Sequence, residues 1–371
     1  MNYPYFDFFT LVLYILIGLL EYKVIKSHIK HPKGKSLVLG AVLLLLFATS
    51  RKVASCLGGM DALNYENIFL NCLNQSLEYD SLEFLFSGFT RTVRRLTGDP
   101  VIYRLCCYSL IVCGYFIFIK NFCPREISAI PFVLLIYPFI LSFNTMRTSM
   151  AISIILIGLV LLKRRRYLCA VVIIMSSVFF HRISIIIVPF LLLYIVSNRL
   201  NIFRSRKRFI ICLGVLMSIG VVLAKYLQQY MLLFDVLEGN DAYYIERNVE
   251  ASILSTLASL VPLILIVIFW LVTWDENINK KNNLLALLVF YDIAVFPAAF
   301  ILGIWRINEY MYIPRLLLWG ILLYSFRQRF SVSSRQTIDF TFLLAFSVWL
   351  IDRINAVWDP AGLMPYVLIW F

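Results

Sequence analysis

Five arginines stand where a charge needs a reason: Arg51, Arg147, Arg182, Arg247 and Arg306. Each lies at or near the end of an apolar run, or in a loop that would fold over one. An ionised group at the edge of hydrocarbon costs free energy unless it is paired or functional. Arginine stays charged, and its planar fork matches two phosphate oxygens at once. Arginines that converge would bind a pyrophosphate; arginines that pair with acids or reach lipid headgroups would be structural. The nearby acids include Asp61, Glu66, Glu78, Asp99, Asp241, Glu246 and Glu309. The turn 142–147 that carries Arg147 is short and offers no acid, so Arg147 is the arginine most expected to meet a ligand.

His181 ends the run CAVVIIMSSVFFH. A histidine there either caps its helix or acts as a general base or phosphate ligand, since histidine ordinarily titrates near neutrality. Asp61 and Tyr65 stand in GGMDALNYENIF. Asp61 either caps the following helix or presents a carboxylate to substrate as base or sugar ligand. WRINEYMYIP (305–314) combines Arg306, Asn308, Glu309 and Tyr310 with aromatic rings. Such a set suits a sugar, and it also suits an aromatic belt at a membrane interface. Asp292, inside an apolar run, is either a functional acid or a bond to a neighbouring helix.

The elements that position these groups follow from composition. Of 371 residues, 61% are hydrophobic and 15% charged, against about 45–50% and about 25% in soluble domains. The expected class is all-α, a polytopic membrane protein. Apolar runs lie near 8–25, 37–50, 101–119, 127–143, 146–162, 167–181, 183–197, 209–226, 253–274, 284–304, 310–326 and 338–352, which predicts about twelve transmembrane helices. The net charge of +13 is concentrated in loops: segments 23–35, 120–126, 163–166, 199–208, 279–283 and 327–336 hold 21 of the 34 Lys and Arg residues. These segments fall at every second connection, which places them in the cytoplasm and both termini outside. Basic loops of this kind imply membrane lipid as the partner and no nucleic acid. No cleavable signal peptide is expected ahead of the first run.

One membrane domain is expected over 1–371, with an outer loop at 51–100 and a second at 227–252 that would cap it. Within the first loop, Phe84, Leu85, Phe89, Val93 and Leu96 recur at helical spacing among Arg91, Arg94 and Arg95. That pattern predicts an amphipathic interfacial helix. The eight cysteines show no CxxC and no metal-ligand spacing. Cys56 and Cys72 share the outer loop, and their spacing leaves a disulfide open.

Read together, these residues resemble the EpsG-type branch of the Wzy polysaccharide polymerases. The resemblance rests on Arg51, Asp61 and Tyr65; on Asn144, Arg147 and Ala151; on Phe180, His181 and Ser184; and on Arg306, Tyr310, Ile313 and Pro314, with Pro365-Tyr366 at the end. It runs along nearly the whole chain. Thr148 departs from the glutamine expected after the arginine, and Arg182 is particular to this sequence. The resemblance implies a glycosyltransferase at the periplasmic face of the bacterial inner membrane. It would join undecaprenyl-pyrophosphate-linked repeat units for O-antigen, capsule or exopolysaccharide, with a chain-length regulator protein as a further partner. His181, Asp61 and Arg147 would be catalytic. Arg51, Tyr65, Asn144, Arg182, Arg247, Arg306, Glu309 and Tyr310 would bind substrate. No cofactor and no metal are expected: arginines would stabilise the leaving pyrophosphate, and the outer segments contain no DxD pair. An O-antigen ligase-like transferase, a lipid-oligosaccharide flippase and a membrane acyltransferase are the alternatives. The apolar middles of the runs argue against the flippase, and the apolar surroundings of His181 against the acyltransferase.

Overall fold

The computed structural model describes residues 7–32, 35–54, 59, 61–73, 82–200, 202–233, 253–301 and 309–361, and every element among them is helical. The apolar runs become rods: α1 (Phe8–Lys30), α2 (Lys35–Thr49), α5 (Pro100–Phe122), α7 (Met146–Lys163), α8 (Tyr167–Ser176), α9 (Ile187–Leu200), α10 (Arg206–Leu233), α11 (Ile253–Val272), α13 (Asn283–Ile301), α14 (Tyr312–Arg327) and α15 (Val332–Ala361). The run near 127–143 forms a 3-10 segment, Ile130–Leu135, that continues into α6 (Ile136–Leu141). Three short helices lie between rods: α3 (Ala62–Asn71), α4 (Phe84–Leu96) and α12 (Glu276–Lys281).

Four rods, Phe8–Lys30, Pro100–Phe122, Met146–Lys163 and Arg206–Tyr226, are long and apolar enough to cross a membrane, and shorter apolar helices accompany them. Large apolar side chains such as Leu16, Val38, Leu46, Ile211 and Val215 are exposed on their flanks. Water penalises such a surface and lipid does not. The chain is built as a multi-pass membrane protein. Aspartates start several helices as sequence rules predict. Asp7 accepts from the backbone of Phe9 and Thr10, Asp99 from Val101 with Pro100 in the first turn, and Asp275 from Asn277 and Ile278.

The chain forms two compact units, residues 1–185 with 330–371, and residues 186–329. In the first, α5 and α7 pack most closely, flanked by α2 and α8, while α1 and α15 cover the 3-10 segment 130–135. α7 is buried on nearly every side, as expected of a helix apolar all round. The close approach depends on Gly114: a Cβ there would lie 2.6 Å from the Ser153 Cα and 2.8 Å from its carbonyl oxygen. Ser153 Oγ then donates to the Ile111 carbonyl at 3.0 Å. Small residues at such crossings let backbones approach.

α3 and α4 pack on each other and on the first turns of α5. The helix predicted over 84–96 is present, but its buried stripe is Phe86, Thr90 and Val93, while Phe84 and Leu96 are exposed. Partners set this rotation: Phe86 packs edge-on to Tyr65, and Thr90 lies 3.3 Å from the Tyr103 hydroxyl. Cys72 is a buried free thiol whose Sγ donates to the Phe69 carbonyl; Cys56 lies outside the described residues.

In the second unit α10 packs along α13, and Phe203, Phe209, Trp270 and Phe290 interlock. Asp292 bonds a neighbouring helix. Arg315 of α14 donates through Nη2 to its Oδ1 at 2.6 Å and through Nε to Oδ2. Both partners are largely buried, and removal of either would leave an uncompensated buried charge.

Gly114→Val is expected to lower the stability of the detergent-solubilised protein by about 1–3 kcal/mol through overpacking. Gly88→Ala, where an added Cβ meets nothing within 4 Å, serves as the control and is expected to leave the melting temperature level or slightly raised. Thermal melts of the two variants compare them directly.

Candidate active site

Arg147 occupies the first turn of α7. The amino end of a helix carries partial positive charge, so a cation there is unfavourable without an anion nearby. The short turn around it supplies none, and a distant residue does. Glu83, which ends the segment before α4, reaches Arg147 Nη1 through Oε2 at 2.8 Å. Its other oxygen, Oε1, lies 3.3 Å from His181 Nδ1 and accepts from the Arg182 backbone N–H at 3.3 Å. Glu83 is the N-cap of α4 but makes no capping hydrogen bond with its side chain, because both oxygens are used elsewhere.

His181 is placed by local backbone geometry. The 3-10 turn Ser177–Phe179 precedes it and the 3-10 segment Arg182–Ile186 follows. His181 N bonds the Ser177 carbonyl at 3.0 Å, and the His181 carbonyl accepts from Ser184 N at 2.9 Å. The predicted runs 167–181 and 183–197 therefore meet in tight turns, a helical form often found at functional hinges. The ring is buried, and its Nε2 has no hydrogen-bond partner among the described residues; the same holds for Arg147 Nε. The Tyr65 hydroxyl is a further hydrogen-bonding neighbour of Arg147, and the Phe86 ring lies 5.8 Å from the guanidinium carbon.

Burial works to raise the Glu83 carboxyl, yet the bond to His181 and the charge of Arg147 outweigh it and bring the group down to about 2. Glu83 is thus ionised at any physiological pH. Glu66, on α3, goes the other way: burial pushes its carboxyl up against the pull of Arg104 and Arg51. Arg104 donates to Glu66 at 2.6 Å and ties α3 to α5.

The other predicted residues divide by role. Arg51 is buried; it donates to the Ala48 carbonyl at 3.1 Å and the Tyr108 hydroxyl at 2.9 Å, and lies 3.8 Å from the Phe143 ring centre. Asn144 Oδ1 accepts from the Asp61 backbone N–H at 2.9 Å, so this pair joins the outer loop to the turn before Arg147. Asp61 sits at the N-cap of α3 without a side-chain capping bond. Gly59 makes that junction possible. Its φ is +112°, and a Cβ would lie 2.6 Å from the Phe143 carbonyl oxygen, a conformation that glycine alone adopts readily. The Arg182 side chain is exposed. Glu309 and Tyr310 belong to the second unit, where Tyr310 is buried. Arg247 and Arg306 lie outside the described residues.

The site thus gathers Arg147, His181 and the Arg182 backbone on Glu83, with Tyr65 beside Arg147 and with Asn144 and Asp61 shaping the adjoining turn. Among the described residues no group of three or more His, Cys, Asp or Glu could hold a metal ion. Chemically, the cluster offers a fixed cation, an imidazole with one open nitrogen, and a carboxylate binding the two together. Glu83 escapes sequence reasoning because an acid just before a helix reads as an ordinary helix start. Arg104 carries the same signal as the other arginines, a charge in an apolar run, and belongs with them.

The model of the EpsG family matches residues 36–368. No curated protein and no solved structure matches the chain.

The depressed Glu83 carboxyl makes a signed prediction. Its stabilising contribution is fully present above its ordinary value of 4.5 and is lost as the pH falls toward about 2. The melting temperature of wild type is therefore expected to exceed that of Glu83→Gln at pH 6–7. The gap should narrow steadily in acid between about pH 4.5 and pH 2, read by melts at stepped pH.

Proposed function

Because the chain belongs to the EpsG family, the family of Wzy-type polysaccharide polymerases, we propose that it is a membrane glycosyltransferase that polymerises glycan repeat units. The donor is a growing glycan on undecaprenyl pyrophosphate, and the acceptor is the sugar of a second lipid-linked repeat. The reaction takes place at the periplasmic face of the bacterial inner membrane. In this reading about twelve helices cross, the basic loops face the cytoplasm, and residues 51–100 form the outer loop over the site.

The observation that carries this reading is the shared carboxylate. Arg147 and His181 come from the ends of different helices, yet both meet Glu83. They therefore address one small volume rather than separate helix contacts. Cleavage of the anomeric C–O bond leaves a pyrophosphate, and Arg147 supplies the positive charge where negative charge develops. Its Nε is free of protein partners among the described residues, which leaves a donor for a phosphate oxygen. His181 offers Nε2 to the acceptor sugar or the leaving phosphate. Tyr65 borders the same cation. Arg51 acts from beneath, by fixing Tyr108 and the Phe143 ring behind the turn. Arginine in place of a metal makes the reaction metal-independent. A chain-length regulator protein is the expected protein partner.

Arg147→Ala is expected to abolish long polysaccharide while the protein still inserts at normal levels. Glycan ladders on a gel read the outcome, and an unchanged ladder in cells making the variant would sink the assignment. Polymerisation by purified protein is expected to continue in EDTA; activity lost to the chelator and restored by Mg²⁺ would overturn the metal-free mechanism.

A further inference from the structure

The polymerase reading leaves His181 two roles, toward the acceptor hydroxyl or toward the leaving phosphate. We infer that Glu83 is a positioning residue that holds the proton of His181 on Nδ1, so that Nε2 stands as a bare acceptor for the attacking sugar hydroxyl. The inference rests on the polymerase reading for its substrate and on geometry for its direction.

An ionised carboxylate has lone pairs and no proton, so whatever faces it must donate. Oε1 of Glu83 faces His181 Nδ1 at 3.3 Å, which puts the ring hydrogen on Nδ1. In the neutral imidazole the other nitrogen is then an acceptor. The carboxylate itself is fixed by two further donors, the Arg182 N–H on Oε1 and Arg147 Nη1 on Oε2. A carboxylate behind the far nitrogen is the usual way a protein orients a working imidazole. Nε2 is buried and has no partner among the described residues, so it awaits a donor. A sugar hydroxyl donates; an ionised phosphate oxygen does not. The two open atoms therefore sort by chemistry: Arg147 Nε, a donor, faces the pyrophosphate, and His181 Nε2, an acceptor, faces the hydroxyl.

The step balances without a co-reactant. The acceptor O–H proton passes to Nε2 as its oxygen bonds the anomeric carbon. The anomeric C–O bond breaks, and its electron pair leaves with the pyrophosphate oxygen beside Arg147. The imidazolium that forms is compensated by Glu83 and later returns its proton to the leaving pyrophosphate or to water.

The sequence contains three histidines, His28, His31 and His181, so ¹⁵N-histidine spectra of the full chain in lipid nanodiscs are simple, and His181→Gln identifies the resonances. At a pH where the ring is neutral, wild type is expected to show His181 protonated at Nδ1 and bare at Nε2. Glu83→Ala is expected to lose that single form. An Nε2–H form in wild type, or no change in Glu83→Ala, overturns the inference. Kinetics with lipid-linked repeat units give a second arm that does not depend on Glu83→Ala folding. Glu83→Gln keeps the shape and removes the charge, and should lower kcat by about 10–100-fold with KM little changed; an unchanged kcat also overturns the inference. If the wild-type protein elongates nothing while its His181 shows the Nδ1–H form, the polymerase reading falls and the positioning stands.

Discussion

The ion pair between Glu83 and Arg147 is the constraint around which the first unit is arranged. A guanidinium at the amino end of α7 meets the helix dipole with the wrong sign, and α7 is buried along its length. Some anion must sit there. The chain supplies it from 64 residues upstream, from the first residue before a surface helix. That one demand fixes where α4 begins. Because Oε1 is also committed, it fixes the turn that carries His181 as well. Net strength matters less than position here: a partly buried pair stabilises modestly, yet removal of one partner leaves a charge stranded.

Around this pair lies a shell of polar groups held in mutual hydrogen bonds. Arg51 is spread between a carbonyl, a phenol and an aromatic face. A buried cation is tolerable on such terms, because hydrogen bonds satisfy its donors and the ring quadrupoles face its charge. Tyr108, held by Arg51, reaches toward the Ser142 carbonyl at 3.4 Å. Asn144 then takes the Asp61 N–H across Gly59. The result is a turn, 142–145, clamped from below by Arg51 and from the side by the outer loop. An arginine side chain has many rotamers to lose; a rigid turn beneath it limits how far its head can wander from the reacting atoms.

Much of this was legible in the sequence, in a particular way. The apolar runs became helices because length and hydrophobicity are local properties of the chain. Arg147 and His181 stand out as charges at the wrong end of apolar runs, and each bonds Glu83. What could not be read was pairing across long separations. Glu83 is 98 residues from His181, and nothing in its neighbours announces either partner. Which side of α4 packs on the protein is hidden for a related reason. A stripe of apolar residues names a face, but in a membrane protein exposed Phe84 and Leu96 are as well solvated as buried Phe86. Polar contacts, Thr90 with Tyr103 and Glu83 with Arg147, decide the rotation instead.

The opposite end of the same rods shows why the basic knot 163–166 belongs to architecture. Arg165 adopts φ +60°, and Arg165 and Arg166 bond back to the Leu162 and Leu161 carbonyls, which ends α7 in a left-handed cap. Lys163 and Arg164 both donate to Asn121 at the end of α5, at 2.5 and 2.8 Å. Cations at helix carboxyl ends agree with the dipole, so these charges are satisfied where they stand. Arg147 opposes the dipole and needs an ionised acid drawn in from elsewhere, and its Nε has no partner among the described residues after that acid is bound. The same residue type is thus locally stable at one end of α7 and locally unstable at the other. A ligand that brings negative charge to Arg147 would meet the helix dipole as well as the guanidinium.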